Sequence, residues 1–529
     1  MKITLHDLAA LFALSACAVA QNPLQTIWGA QPGRLFGAGV LPYPDVDGDG
    51  ALDLAVRHAR GVRIVSSASG AALREIQRAQ GPIGDVNGDG WPDFWAPVWD
   101  SPTSTQGEWI QTDVLSGLDG ALLAEWPWSW SPTNASLERW QAPRALGDVD
   151  GDGRDEFVRF ETRPTGPGTW AQFVAIVSGA SGSLSLSIPA DPLSAFYVAI
   201  NDVDGDGVRD IYIGQGASGP RVVSSASGGT LASPPPTVAT YDGFPIDDAD
   251  GDGVEDLALI DLSTTPGPTT HIVSTMSSAV LATLPGMARV SLDSRAVCGD
   301  FDGDGQLDLV LQSFDLGRNE VRTLASGALV LSVDALASAA LRAPDSNGNG
   351  REELWLGLQG AQSSTGKLVR IEGSYSELVG TPFAFGDGSS GPCPCAPGGA
   401  NTGCGNALGA GARLAAWGSN SVLERDLTLL VTGLSVDIAL LSQAFLIASS
   451  NSAAVPTPFG GGLLALAAPV QRIANSRFGY FDAPSVASWN TWTPSQTVHF
   501  QVWYREMWPS SACGLTGNLS NALSITFAP

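Results

Sequence analysis

Lysine is almost missing from this sequence. Of 529 residues only Lys2 and Lys367 are lysines, and Lys and Arg together number 27 against 53 Asp and Glu. The formal net charge of −26 leaves no cationic footprint for a phosphate backbone, which excludes nucleic acid as a partner. It argues equally against an anionic membrane surface. Charged residues of both signs reach only 15%, yet beyond the N-terminal segment no apolar run approaches the roughly 18 residues of a transmembrane helix. Histidine is scarce as well. His58, His271 and His499 lie far apart in strand-like stretches, where packing is the commoner role. With no nucleophile elbow, phosphate-cradling Gly loop or sialidase-like Asp box, no catalytic constellation is expected.

Glycine and proline are plentiful, at 63 and 35 residues, beside 44% hydrophobic residues and 16 Trp. That mixture excludes a disordered acidic tail and favours many short strands joined by turns. The N-terminus reads as a secretory signal over residues 1–20: Met1–Lys2, an apolar run from Leu8 to Ala16, and Ala18-Val19-Ala20 before Gln21. Leu14-Ser15-Ala16-Cys17 also fits a lipobox, which would anchor the chain through Cys17 instead. Either reading places the protein outside the cytoplasm, secreted or at the cell surface. Cysteine usage agrees with an oxidising compartment. Cys298 reads as a buried small hydrophobe, while Cys393, Cys395, Cys404 and Cys513 read as two disulfides among three conceivable pairings, with Cys513 closing back toward the Cys-Pro-Cys segment. The alternative, zinc, expects a different ligand spacing.

The acidity has an internal period. The pattern D-x-D-G-D-G-x-x-D, with substitutions, occurs seven times at intervals of about 50 residues. Side-chain oxygens at positions 1, 3, 5 and 9, a backbone carbonyl at 7 and Gly at 6 form an oxygen cage suited to a hard cation such as Ca²⁺. The candidate ligands are Asp45, Asp47, Asp49, Ala51 and Asp53 in the first loop, and Asp85, Asn87, Asp89, Trp91 and Asp93 in the second. The third and fourth offer Asp148, Asp150, Asp152, Arg154 and Glu156, then Asp202, Asp204, Asp206, Val208 and Asp210. The fifth and sixth offer Asp248, Asp250, Asp252, Val254 and Asp256, then Asp300, Asp302, Asp304, Gln306 and Asp308. The seventh is degraded to Asp345, Asn347, Asn349, Arg351 and Glu353. Up to seven Ca²⁺ ions are expected, the last site being the weakest because affinity follows ligand charge. These positions hold almost half of the 53 acids.

Between the loops lies a second element, an apolar pair followed by a Ser/Gly turn, as in Ile64-Val65-Ser66-Ser67-Ala68-Ser69-Gly70. The unit therefore reads strand, acidic loop, strand, hairpin, strand, and a radial repeat of such units is a β-propeller. The loops resemble those of the FG-GAP/VCBS repeat family, propellers similar to the integrin α-subunit head. The resemblance covers about residues 30–380, and only Leu35-Phe36-Gly37-Ala38-Gly39-Val40 keeps the FG-GAP lettering. It implies that the loop between the first two strands of each blade holds Ca²⁺. There is no Arg-Gly-Asp, and no integrin partner is implied.

Nine Trp lie between Trp91 and Trp170. Trp126, Trp128 and Trp130 would share one face of a strand, either as a platform for sugar rings or a protein, or as packing between blades. After Gly380 the composition shifts. Residues 381–410 are a Gly/Pro/Cys-rich linker or stapled lead-in, and 411–529 carry about six strand-like segments that suggest a small β-sandwich. That region is similar to a C-terminal domain found on many large secreted bacterial proteins. The expected whole is all-β: a seven-bladed propeller over 21–380 and a sandwich tail, acting as an extracellular binding or adhesion module for a protein or polysaccharide. A carbohydrate-active enzyme or glycan-binding module using blades two and three, and a structural surface-layer component, are the alternatives.

Overall fold

The computed structural model describes residues 23–529 apart from segments 30–35, 100–108, 128–141, 167–168, 191–196, 215–218, 235–241, 265–267, 292–294, 314–317, 335–336, 359–365, 377, 408, 424–426, 435–443, 477–479, 483–490, 507–514 and 516. The predicted signal segment, Trp128, Trp130 and Cys513 fall outside the described residues. Among those described, every regular element is a β-strand, as the turn-rich composition predicts.

Up to Ile371 the described strands form seven antiparallel sheets in chain order. The first joins Gly39–Tyr43, Asp53–His58, Gly61–Val65 and Ala72–Gln77. The second joins Gly81–Gly84, Asp93–Trp99, Trp109–Leu115 and Leu122–Pro127; the third, Arg144–Gly147, Glu156–Gly166, Thr169–Val177 and Leu184–Ala190. The fourth contains Tyr197–Ile200, Asp210–Ile213, Arg221–Val223 and Thr230–Ala232, and the fifth Asp242–Ile246, Asp256–Asp261, Thr269–Val273 and Val280–Pro285. In the sixth the first strand is split into Met287–Ala288 and Cys298–Gly299, both paired with Asp308–Ser313, and Arg318–Thr323 and Leu329–Asp334 follow. The seventh takes Ala337–Ala343, Glu353–Leu358 and Lys367–Ile371 from the end of the series and its fourth strand, Gln25–Trp28, from the beginning, in the register Gln25↔Arg370 to Trp28↔Lys367.

Burial explains the strand sequences. Second strands such as Asp210-Ile211-Tyr212-Ile213 are buried throughout, because they are covered on both faces, and so read as unbroken apolar runs rather than alternating ones. Fourth strands such as Ala72–Gln77 are only partly buried. Each apolar core is shared by two successive sheets. Tyr43, Ile64 and Phe94 join the first to the second, Leu146 and Tyr197 the third to the fourth, and Val321 and Leu356 the sixth to the seventh. A further core, with Ile27, Val40 and Trp355, joins the seventh back to the first. The arrangement is propeller-like, with the first strands innermost and neighbouring first strands in contact.

The C-terminal strands form a six-stranded sheet containing Thr381–Phe383, Ala444–Ser449, Gln471–Ser476, Thr497–Arg505, Gly517–Leu519 and Ala522–Thr526, and a three-stranded sheet of Arg413–Trp417, Thr428–Thr432 and Tyr480–Asp482. Both contribute to one core that includes Leu414, Leu429, Leu446, Phe500 and Ile525. Five strands escape sequence reading here, among them Ser452–Phe459 and Gln471–Ser476. The Cys-rich segment behaves as a stapled lead-in: Thr381–Phe383 pairs with Ala522–Thr526, Cys393 bonds Cys404, and Asn518 Nδ2 donates to the Gly405 carbonyl. Cys395 is also disulfide-bonded.

The Ser/Gly hairpins join third and fourth strands. Their last turn residue is left-handed, with Gly70, Gly120, Gly182, Gly228 and Gly327 at φ between 66° and 76°, but the fifth hairpin places Ser278 there at φ 57°. A side chain in that region is strained, so Ser278→Gly should raise stability by about 1 kcal/mol, read as a higher melting temperature. An unchanged or lower melting point would contradict strain at Ser278.

Candidate metal centres

Each acidic loop joins the first strand of a sheet to the second, and its shape follows from where glycine stands. Positions 4 and 6 are left-handed in all seven loops, for example Gly48 at φ 77° and Gly50 at 88°, and Gly348 and Gly350 at 74° and 86°. With those turns made, the loop wraps its own first carboxylate. Asp45 Oδ1 accepts from the Gly48 amide at 2.6 Å and Oδ2 from Gly50 at 2.8 Å, and the same pair of bonds recurs on Asp85, Asp148, Asp202, Asp248, Asp300 and Asp345. The Gly50 amide, ahead of the others, holds the Asp45 carboxyl below the usual carboxylate range, and Gly207 and Gly350 do the same for Asp202 and Asp345. Asp248 is lowered too, its backbone donors outweighing burial.

The structure gathers three carboxylate oxygens within 4.8 Å of one another in five loops: Asp45, Asp47 and Asp53; Asp148, Asp150 and Glu156; Asp202, Asp204 and Asp206; Asp248, Asp250 and Asp256; Asp300, Asp302 and Asp304. Asp49, Asp152, Asp252, Asp210 and Asp308 belong to the same loops but not to those triplets. Among the described residues no such triplet forms in the second loop, where Asn87 donates to Asp89 Oδ2 at 3.0 Å, or in the seventh. The predicted position-7 residues Ala51, Trp91, Arg154, Val208, Val254, Gln306 and Arg351 enter through their amide N–H, each donated to the position-5 side chain. Five loops therefore fit a cation of hard-oxygen preference. In the first, Asp53 Oδ1 is buried and accepts no hydrogen bond, which leaves an anionic oxygen in need of a positive partner.

Position 9 has a second role that the motif conceals. It heads the second strand of its sheet and is buried at 0–1% exposure in every copy. One of its oxygens accepts the amide of position 2, as Asp53 does from Val46 at 2.7 Å and Asp256 from Ala249 at 2.8 Å. The other, in Asp93, Asp210 and Asp256, accepts an amide from the hairpin, from Gly117, Ser225 and Thr275 respectively. Burial pushes Asp93 up to about 7 and Asp210, Asp256 and Asp308 up to about 6, and raises Asp53 and Glu156.

Two further features went unread in the sequence. Position 8 carries an acid in the third, fifth and seventh loops, and each clamps the preceding loop: Asp155 Oδ2 accepts from the Asp85 amide at 2.8 Å, Glu255 Oε2 from Asn201 at 2.9 Å, and Glu352 Oε2 from Asp300 at 2.9 Å. Alternation of acid with Pro92, Arg209 and Leu307 at this position was the available signal. The second is Glu372, just beyond the last strand of the seventh sheet. Its carboxylate accepts from both Asn347 Nδ2 and Asn349 Nδ2, while Glu353 pairs with Arg370 and accepts from Ser346. Protein donors thus occupy the seventh loop where a cation would be needed elsewhere.

Trp126 is only 9% exposed and stacks on Phe157 of the next sheet at 4.3 Å, in a core with Ile83 and Val177. Its strand ends at Pro127, so Trp126 belongs to packing between sheets and not to an exposed aromatic face. His58, His271 and His499 lie in strands of three different sheets, His58 against Glu75 at 2.6 Å and His271 between Thr269 and Thr283. Cys298 is buried and free, as predicted.

No family model and no curated protein matches the chain. Among solved structures it is similar to a Bacillus licheniformis rhamnogalacturonan lyase, PL11, at TM-score 0.39 and 17% identity over 67% of this chain and 75% of that one. It is also similar to the V. cholerae biofilm matrix protein Bap1, at 0.30 and 13% over 97% and 70%, and to BBS1N in complex with ARL6DN, at 0.39 and 11% over 67% and 98%. Likeness at this distance assigns no activity or partner.

The raised position-9 carboxyls make a pH prediction. In cation-free protein the folded state holds protons that the unfolded chain, with Asp near about 3.9, has released, so folding stability falls as pH rises through the window up to 6–7. The chelated protein should melt at a lower temperature at pH 8 than at pH 5. A chelated melting point that climbs over that range would contradict the burial of these acids.

Proposed function

We propose that the chain is an extracellular, calcium-stabilised seven-bladed β-propeller of the FG-GAP/VCBS type with a β-sandwich tail, serving as a binding or adhesion module. The observation that carries this reading is the recurrence of one loop frame, with five carboxylate triplets, at the same connection of successive sheets whose cores are shared in cyclic order. Asp53, Asp256 and their counterparts would hold Ca²⁺ together with positions 1, 3 and 5 of their loops. When bound, the ion would supply the charge that lets those oxygens stay ionised side by side. The disulfide between Cys393 and Cys404 fits an oxidising compartment.

The test is calorimetric. Ca²⁺ should bind with fewer than seven strong sites and raise the melting temperature, since ligand at about 100 times its dissociation constant adds roughly 2.7 kcal/mol per site. Asp248→Ala should remove one equivalent, and Asn347→Ala none. Melting that ignores both Ca²⁺ and chelator would sink the reading. Binding to the producing organism's extracellular matrix that disappears with chelator would support the adhesion role, and its absence in both states would remove it.

A further inference from the structure

Two arginines stand between acids that belong to different acidic loops. Arg295, ahead of the strand Cys298–Gly299, donates from Nη2 to Glu255 Oε1 at 2.5 Å and lies 3.5 Å from Asp247 Oδ1. Arg342, in the first strand of the seventh sheet, donates from Nη1 to Asp247 Oδ2 at 2.7 Å and from Nη2 to Glu352 Oε1. Glu255, Arg295, Asp247, Arg342 and Glu352 thus form, in that order, an unbroken series in which each guanidinium has a carboxylate on either side. Asp247, Arg295, Arg342 and Glu352 line one cavity of about 850 Å³.

Both ends of the series reach a backbone amide at the start of another acidic loop. Glu255 Oε2 accepts from Asn201, the residue before Asp202, and Glu352 Oε2 accepts from Asp300. Glu352 also donates its own amide to the Asp300 carbonyl at 2.9 Å, so residue 300 is held on both sides. That approach needs glycine ahead of it, because a Cβ on Gly299 would stand 2.4 Å from Glu352 Oε2. The middle of the series belongs to the fifth loop. Asp247 precedes Asp248 and Glu255 precedes Asp256, and Asp248 and Asp256 are two of the three carboxylates that this loop brings within 4.8 Å of one another. The first loop carries Leu52 at position 8 and has no acid there to make such a bond.

We propose that the fifth loop is the hub of cooperative Ca²⁺ binding, with Glu255 as the positioning residue toward the fourth loop and Asp247, Arg342 and Glu352 as the positioning residues toward the sixth. The proposal rests on the calcium reading of the loops and deepens it. Coupling between sites needs an element with two arrangements that both sites bias. The loop frame is that element: its three like charges spread apart when unbalanced and draw together around a shared cation. Drawing together fixes residues 248 and 256, and with them the neighbouring carboxylates whose series ends on the Asn201 and Asp300 amides. Asp202 and Asp300, the first carboxylates of their own loops, are then ordered in advance, and that ordering no longer opposes binding there. By linkage the effect is reciprocal. Asp247 and Arg342 are 40% and 43% exposed, and solvent screens pairs of that exposure, which keeps the coupling near the low end of the usual range, about fivefold.

The test is Ca²⁺ titration calorimetry on the full chain, with melting in excess Ca²⁺ as the check on folding. Asp45→Ala and Asp248→Ala should each remove one equivalent, but only Asp248→Ala should weaken the remaining sites, two of them by about fivefold. Arg342→Gln takes away no ligand atom and should keep the number of equivalents. Adding Asp248→Ala in that background should then weaken one site instead of two. An arginine with a purely structural role would leave that coupling as it is, since loss of structure lowers every site alike. Should Arg342→Gln melt early, Glu352→Gln replaces it, keeping the length and an oxygen for the Asp300 amide but offering no charge to Arg342. Absence of weakening by Asp248→Ala, equal weakening by Asp45→Ala, or the same two-site weakening after the series is cut overturns the proposal and leaves the calcium reading standing. A chain that takes up no Ca²⁺ removes both.

Discussion

Each sheet of the ring is organised around one buried carboxylate, the acid at the head of its second strand. Asp53, Asp93, Glu156, Asp210, Asp256, Asp308 and Glu353 all sit there, essentially without exposure. Isolated from water, a carboxylate is costly unless hydrogen-bonded or paired. In every copy one oxygen accepts an amide of the acidic loop, and in Asp93, Asp210 and Asp256 the other accepts an amide from the hairpin of the same sheet, which offsets part of that cost. In those three sheets the acid couples two turns distant in sequence to a single strand end. A cation in the loop would complete that arrangement in five of the loops, because the oxygens of positions 1 and 3 approach those of position 9 in three of them and of position 5 in two, and repel one another without it.

The same constraint explains why the seventh loop can lose its acids. Its sheet is the one completed by the N-terminal strand Gln25–Trp28, so it holds the ring shut. There Glu353 is neutralised by Arg370, itself on the strand that pairs with the N-terminus, and the two Asn side chains donate to Glu372. Of the acids in this loop, Glu353 is balanced by a guanidinium and Asp345 is held by the Gly348 and Gly350 amides. The clamps of Asp155, Glu255 and Glu352 in turn tie the third loop to the second, the fifth to the fourth and the seventh to the sixth.

What could be read from the sequence was whatever repeats. The acidic loops, the strands that follow them and the hairpins recur about every 50 residues, and repetition lifts even a three-residue strand such as Arg221–Val223 above the level of chance. Interactions that occur once do not carry that signal. The pairing of Gln25–Trp28 with Lys367–Ile371 spans almost the whole ring and leaves no local pattern. Glu372 lies outside the motif it completes, and position 8 looked like filler because its acids appear in only three copies. Trp126 alternates with its neighbours as a surface strand would, yet a ring of stacked sheets buries both faces, and it packs on Phe157. In the C-terminal region, Ser452–Phe459 is mostly exposed and carries Pro456 and Pro458, so its composition does not read as a strand.

A repeated unit multiplies whatever it contains, so seven equal copies would give an axis of uniform chemistry. Direction around the ring has to come from positions where the copies differ. Position 8 is such a place: acid in three loops, apolar at Leu52, Pro92 and Leu307, and cationic only at Arg209. It lies at the seam between sheets, close to the axis, where Leu52 and Glu352 line one cavity and Arg209 another. Position 8 contributes nothing to the bonds that positions 1, 4, 6 and 9 of its own loop make among themselves, and where it is acidic it bonds the start of the preceding loop instead. The periodic positions hold the ring together, and the aperiodic ones set the charge that lines its cavities.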